Sequence, residues 1–99
     1  MVFDTQSKGV NITGIVTTVV KTGNCILDTI VFNKKAANGV VAIYDDTSAI
    51  AGSLRGTITM PATLLDSQQF IQYAQGLKFD RGLTIVTSVA AQDITIAFR

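Results

Sequence analysis

The sequence predicts an all-β fold, an antiparallel β-sandwich or jelly-roll of about seven to eight strands, and three observations carry that expectation. Isoleucine, valine and threonine number 11, 10 and 13, so 34 of 99 residues are β-branched. Such side chains are stiff at χ1 and pack well on a pleated surface. Breakers recur at short intervals, at Gly9, Gly14, Gly23, Asn38-Gly39, Gly52, Gly56, Pro61, Gly76 and Gly82, a spacing typical of sandwiches and barrels. A hydrophobic share of 47% over 99 residues suits one core, hence a single domain over residues 1–99.

Taken in order, residues 1–10 are an eighth strand or an arm, flexible or at an interface. A long segment follows from Val10 to Lys21, with Gly14 as a bulge or crossing point. Thr22-Gly23-Asn24 turns the chain into Cys25–Asn33, where strict alternation puts Ile26, Asp28, Ile30 and Phe32 on one face and Leu27, Thr29 and Val31 on the other. Both faces are apolar enough for a central or covered strand. Lys34–Gly39 is a loop whose Asn38-Gly39 supplies the positive φ of a tight turn. Val40–Tyr44 is the next strand, Ala49–Gly52 is irregular, and Leu54–Met60 is a strand stopped by Pro61. Ala62–Gln69 reads as loop and Phe70–Ala74 as an alternating strand. Leu83–Val89 and Ile94–Phe98 end the chain, the last with Ile94, Ile96 and Phe98 on one face.

The composition excludes several chemistries. The chain has no His and no Glu, so the usual proton carriers near neutral pH are missing. No Ser-His-Asp or Cys-His triad can be assembled, and one thiol without imidazole cannot build a normal zinc site. The expectation is no enzyme, no cofactor and no metal. The single Cys25 rules out an internal disulfide and reads as a small hydrophobe. A net charge of +1 gives no basic field for nucleic acid or an anionic membrane. No secretory signal and no membrane-length apolar run are seen, so synthesis and folding in a cytoplasm are expected. Asp45-Asp46 is the one adjacent acidic pair; without further ligands at loop spacing it reads as a turn and not as a calcium or magnesium site. Lys34-Lys35 reads as solvated loop, and the Asn11-Ile12-Thr13 sequon as chance.

The carboxyl-terminal third, Gly76-Leu77-Lys78-Phe79-Asp80-Arg81-Gly82-Leu83-Thr84-Ile85-Val86 followed by Asp93-Ile94-Thr95-Ile96-Ala97-Phe98-Arg99, resembles a pattern in small virion proteins of tailed phages. There a Phe shortly before Gly-Leu leads into a strand, and the chain closes on an alternating strand with aromatic and basic residues. Leu27–Asn33 followed by Val40–Asp45 is similar to the same group's hydrophobic strand, loop and Val-Ile-Tyr-Asp strand. The resemblance spans most of residues 12–99. It implies a non-catalytic structural protein on the capsid surface, a cement (decoration) protein assembled as a homotrimer on the major capsid protein or another virion protein. The alternative it leaves open is a receptor- or carbohydrate-binding module of a head fibre or tail, for which Tyr44 and Tyr73 are the stacking candidates.

A charged fraction of 15% and a mean hydropathy of +0.40, against roughly 25% charged residues in an ordinary soluble domain, fit a surface partly hidden in an assembly. Asp28, alone on an apolar face, is expected either to pair with an arginine or to be exposed at a sheet end. Asp28 and Arg55 are the candidate subunit contacts, and the Asp80-Arg81 turn is a further candidate for touching the shell.

Overall fold

The computed structural model describes residues 8–63 and 69–99, with the side chains of 69, 70 and 72–75 outside the description. Eight strands follow one another: β1 (Lys8–Gly14), β2 (Thr17–Thr22), β3 (Cys25–Lys34), β4 (Val40–Tyr44), β5 (Leu54–Thr59), β6 (Gln69–Phe79), β7 (Gly82–Ser88) and β8 (Gln92–Phe98). One turn of 3-10 helix, Ala51–Ser53, precedes β5. The expected all-β sandwich is what forms.

Pairing explains how. β1 lies antiparallel to β8, β2 to β7, β3 to β6 and β4 to β5, so the chain is one long antiparallel strip folded back at the β4–β5 connection. Two further antiparallel pairings, β3 with β8 and β4 with β7, roll the strip into sheets of order β1-β8-β3-β6 and β2-β7-β4-β5. That connectivity is the jelly roll, two Greek keys in two facing sheets. Inward residues of both sheets fill one apolar cluster. Phe32, Phe79, Leu27, Ile30, Val41, Ile43, Leu83, Ile85, Ile94 and Ile96 are each at most 1% exposed.

Gly14, at φ +84, stands where the chain leaves the first sheet for the second, so the expected Val10–Lys21 segment is two strands and Gly14 is its crossing point. β8 alternates as expected over Ile94, Ile96 and Phe98, and it starts earlier than expected, with Gln92 also inward. β3 is central in its sheet, between β8 and β6, but its strict alternation fails. Leu27 and Ile30 are both buried, because the register against β8 steps from Leu27↔Phe98 to Thr29↔Ala97. Asp28 is the extra residue of a β-bulge there, which re-aims side chains locally. Opposite it, the β3–β6 register jumps from Leu27↔Leu77 to Thr29↔Gln72. The expected Phe70–Ala74 strand is therefore longer: it runs on through Gly76, which sits inside the strand at φ +81 and is no breaker. Gly9 and Gly56 likewise lie within β1 and β5. The expected loop at Ala62–Gln69 falls mostly outside the described residues.

At the Asn38-Gly39 turn only Asn38 takes a positive φ, +63. Gly39 is needed for room: a Cβ there would stand 2.6 Å from Gln92 Cδ. Gln92 is the awkward neighbour. It is 3% exposed, and neither its Nε2 nor its Oε1 has a hydrogen-bond partner among the described residues. A buried amide left unpaired costs about 1–3 kcal/mol. Gln92→Met, which keeps the shape and removes both polar atoms, is expected to stabilise the fold by about 1 kcal/mol in urea unfolding; a loss of stability would show that the amide is solvated by an internal water.

Candidate functional site

Strand direction alternates along the strip, so the corners fall at two ends. Residues 15–16, 35–39, 60–63 and 89–91 lie at one end. Residues 23–24, 45–53 and 80–81 join strands at the other, where β1 also begins and β8 finishes. Three of the four candidate contact residues, Arg55, Asp80 and Arg81, meet at this second end.

They meet around a residue whose sequence context predicts a turn former. Val41, Ile43 and Asp45 share one parity of β4 and its continuation, all buried, so the pleat that sends Val41 and Ile43 into the core sends the Asp45 carboxylate in after them. Asp45, 4% exposed, is no solvated turn residue. Its Oδ1 accepts the backbone N–H of Asp80 at 3.0 Å and of Arg81 at 2.9 Å, and its Oδ2 accepts the Arg55 Nη2 at 2.8 Å. One carboxylate thus fastens the β6–β7 corner to β4 and β5. Asp46 serves the surface beside it: its Oδ1 accepts Thr47 N–H at 2.7 Å, and Arg81 Nη1 lies 3.8 Å from its Oδ2. Its carbonyl accepts the Thr84 hydroxyl at 2.6 Å.

Burial alone would raise the Asp45 pKa. The N–H of Arg81, the Arg55 guanidinium and the N–H of Asp80, with the charge of Arg55, outweigh it and hold the carboxyl below its ordinary value of 3.8. A carboxyl whose folded pKa is depressed stabilises the fold above the unfolded value and loses that contribution as pH falls through it. Unfolding free energy is therefore expected to fall as pH drops below about 4, with a shallower fall in Asp45→Asn, measured by urea titration across that range. Nearby Cys25 is buried and its thiol is pushed up by desolvation, as an inert apolar-environment cysteine should be.

Asp45, Gly52, Ser53, Leu54, Arg55, Asp80 and Arg81 line a cleft of about 320 Å³. The Arg55 side chain is half exposed along it, and Leu54 and the nearby Ile50 are exposed large aliphatic side chains. An arginine already anchored at one nitrogen, flanked by exposed aliphatics, is the composition of a protein-contact centre, where Arg is enriched and its ordered side chain loses little entropy on docking. Among the described residues no group of three or more Cys, Asp, Glu or His is placed to hold a metal.

Asp28, the fourth candidate, lies elsewhere at the same end. Its Oδ1 and Oδ2 accept the Arg99 Nε at 3.1 and 3.0 Å, and Arg99 Nη2 is 3.0 Å from Oδ1. Of the two alternatives, pairing with an arginine is the one that forms, and the partner is Arg99 of the same chain. That hydrogen-bonded carboxylate raises the Arg99 pKa further. Tyr44, at the end of β4, is half-buried, and the side chain of Tyr73 is outside the described residues. Lys8, Lys21 and Lys78 also belong to this end, so of the charged residues described only Lys34, Lys35 and Asp93 stand at the other. Even Asp93 is tied down, its Oδ1 accepting Asn11 Nδ2 at 2.7 Å and Asn33 Nδ2 at 3.2 Å.

No protein-family model matches the chain, and neither a curated protein nor a solved structure matches it.

Proposed function

We propose that this chain is a structural protein of a tailed-phage virion, a capsid cement protein that binds the shell as a homotrimer and stiffens it. The observation that carries the reading is the polarised jelly roll: charged residues are gathered at one end, and among the described residues the opposite end exposes aliphatic corners with three charges. A jelly roll is a fold of viral capsid proteins as well as of lectins; fold alone assigns no function, so the sequence resemblance and the polarity bear the weight. Because Arg55 lines one cleft with Asp80 and Arg81, this reading assigns it with them to the shell and not, as the sequence suggests, to a subunit contact; grip comes from the same modest contact repeated around the symmetric assembly. Mass spectrometry of purified particles tests it. The chain is expected in the particle at a copy number divisible by three, and particles assembled without it are expected to open at lower temperature. Its absence from the particle would overturn the proposal.

A further inference from the structure

Asn38-Gly39 is a dipeptide in which a side-chain amide is readily lost, because a glycine nitrogen, with no Cβ beside it, can reach the Cγ of the preceding asparagine. In the folded chain that nitrogen is engaged. Gly39 is buried, and its N–H donates to the Ala36 carbonyl at 3.0 Å. Asn38 is held at φ +63, and its own N–H donates to the Pro61 carbonyl at 3.3 Å. The Gly39 carbonyl accepts the Met60 N–H at 2.8 Å. These bonds close the β3–β4 corner onto the end of β5, yet Asn38 itself is exposed, so water reaches its amide.

We propose that Asn38 is a modification site gated by this corner: its amide is lost when the corner opens, and the lengthened backbone that results keeps the corner from closing again. The step needs no co-reactant beyond water. Once the Gly39 N–H leaves Ala36, hydroxide removes its proton and the nitrogen's electron pair forms a bond to Asn38 Cγ. The Cγ–Nδ2 bond breaks, and Nδ2 takes a proton from water and leaves as ammonia. Water then opens the cyclic imide at either carbonyl. Breaking the new N–Cγ bond leaves an aspartyl side chain on an ordinary backbone. Breaking the original bond between the Asn38 carbonyl carbon and the Gly39 nitrogen instead sends the backbone through Cβ and Cγ, one carbon longer. Nothing is oxidised or reduced.

The closed corner has no room for that carbon. Gly39 packs so tightly on Gln92 that a Cβ would stand 2.6 Å from Gln92 Cδ and 2.7 Å from its Nε2, and Gln92 is itself buried at the start of β8. Met60, on the other side of Gly39, is 2% exposed. An inserted carbon either drives Gly39 onto Gln92 or carries its carbonyl out of line with the Met60 N–H, and a buried N–H without an acceptor is costly. Asparagine is what makes the corner reactive, since glycine takes the same positive φ without an amide to lose.

Incubation of the whole chain at mildly alkaline pH, with peptide mass mapping of residue 38, tests the gate. Amide loss in the folded chain is expected to be at least about tenfold slower than in the chain unfolded by urea, because only the open fraction reacts. Below the unfolding transition, the rate is expected to rise with urea more shallowly than global unfolding does, as a local opening exposes less surface. Equal rates in the folded and unfolded chain would overturn the gate, and a slope equal to the global one would overturn the local opening. The closure is read on the separated lengthened form, which is expected to lose hydrogen-exchange protection at the Met60 amide. Asn38→Asp, which adds the same charge on an ordinary backbone, is expected to keep that protection. Retained protection in the lengthened form, or equal loss in Asn38→Asp, would overturn the role of the added carbon. Asn38→Gly is expected to hold its Tm through an incubation in which the native sequence loses it; a parallel decline would place the damage elsewhere and overturn the assignment.

Discussion

Asp45→Ala is expected to be among the most damaging single substitutions, lowering stability by about 3 kcal/mol and Tm by about 15 °C. Two backbone N–H groups, of Asp80 and Arg81, lose their acceptor together, and the Arg55 guanidinium loses its partner. A graded series separates these contributions. Asp45→Asn keeps a carbonyl for the two N–H groups but turns an amide NH2 toward a guanidinium that can only donate, so about half the loss is expected. Arg55→Met removes only the half-exposed ion partner and is expected to cost about 1 kcal/mol or less. Equal losses in Arg55→Met and Asp45→Ala would show that the ion pair, and not the fastening of the β6–β7 corner, stabilises this end. The series also bears on function. Arg55→Met leaves the corner bonded to Asp45 while removing one of the two arginines that line the cleft, so if the proposed capsid reading holds, binding to the shell falls in a chain that still folds.

How much of this is legible in the sequence depends on where the period of two holds. In β8 it holds without interruption, and Ile94, Ile96 and Phe98 are inward as their spacing predicts. In β3 it slips at Asp28, because a bulge adds one residue without any glycine or proline to announce it. Asp28 stands out in the sequence as a carboxylate on an apolar face, yet its partner is Arg99, 71 positions away, and no local pattern links the two. Asp45 is the opposite case. Its signal is present, since it continues the parity of Val41 and Ile43, but a carboxylate after a tyrosine and before another aspartate reads as turn chemistry. Burial in a strand-end position outweighs turn propensity when three donors converge on the carboxylate; Arg55 is a hairpin neighbour 10 positions on, but the two N–H donors of the β6–β7 corner become neighbours only once the strip has rolled. Asn38-Gly39 is legible as a turn for half the reason: Asn38 takes the left-handed backbone, while Gly39 is dictated by the Gln92 side chain across the corner.

Gly76→Ala is expected to cost about 3 kcal/mol or more, from two sources that other glycines of the chain resolve. At φ +81 any side chain is strained, by about 1–2 kcal/mol. A Cβ would also collide with Ile26 Cγ2 and stand 3.3 Å from Arg99 Nη2 and 3.5 Å from Asp28 Oδ1, adding an overpacking cost of about 1–3 kcal/mol. Gly14 has φ +84, and among the described residues nothing lies within 4 Å of where a methyl would stand, so Gly14→Ala isolates the strain alone. Gly52 has neither a positive φ nor a close neighbour among those residues, so Gly52→Ala is expected to be neutral. The order Gly76 > Gly14 > Gly52 in loss of urea midpoint is the expected result. Ile26→Ala in the Gly76→Ala background is expected to recover part of the collision cost but none of the strain, a coupling that a double-mutant cycle reads directly. If Gly76→Ala and Gly14→Ala cost the same, the β3–β6 bulge is pliable there, and the Asp28–Arg99 pair would not be held by the close packing of glycine against Ile26.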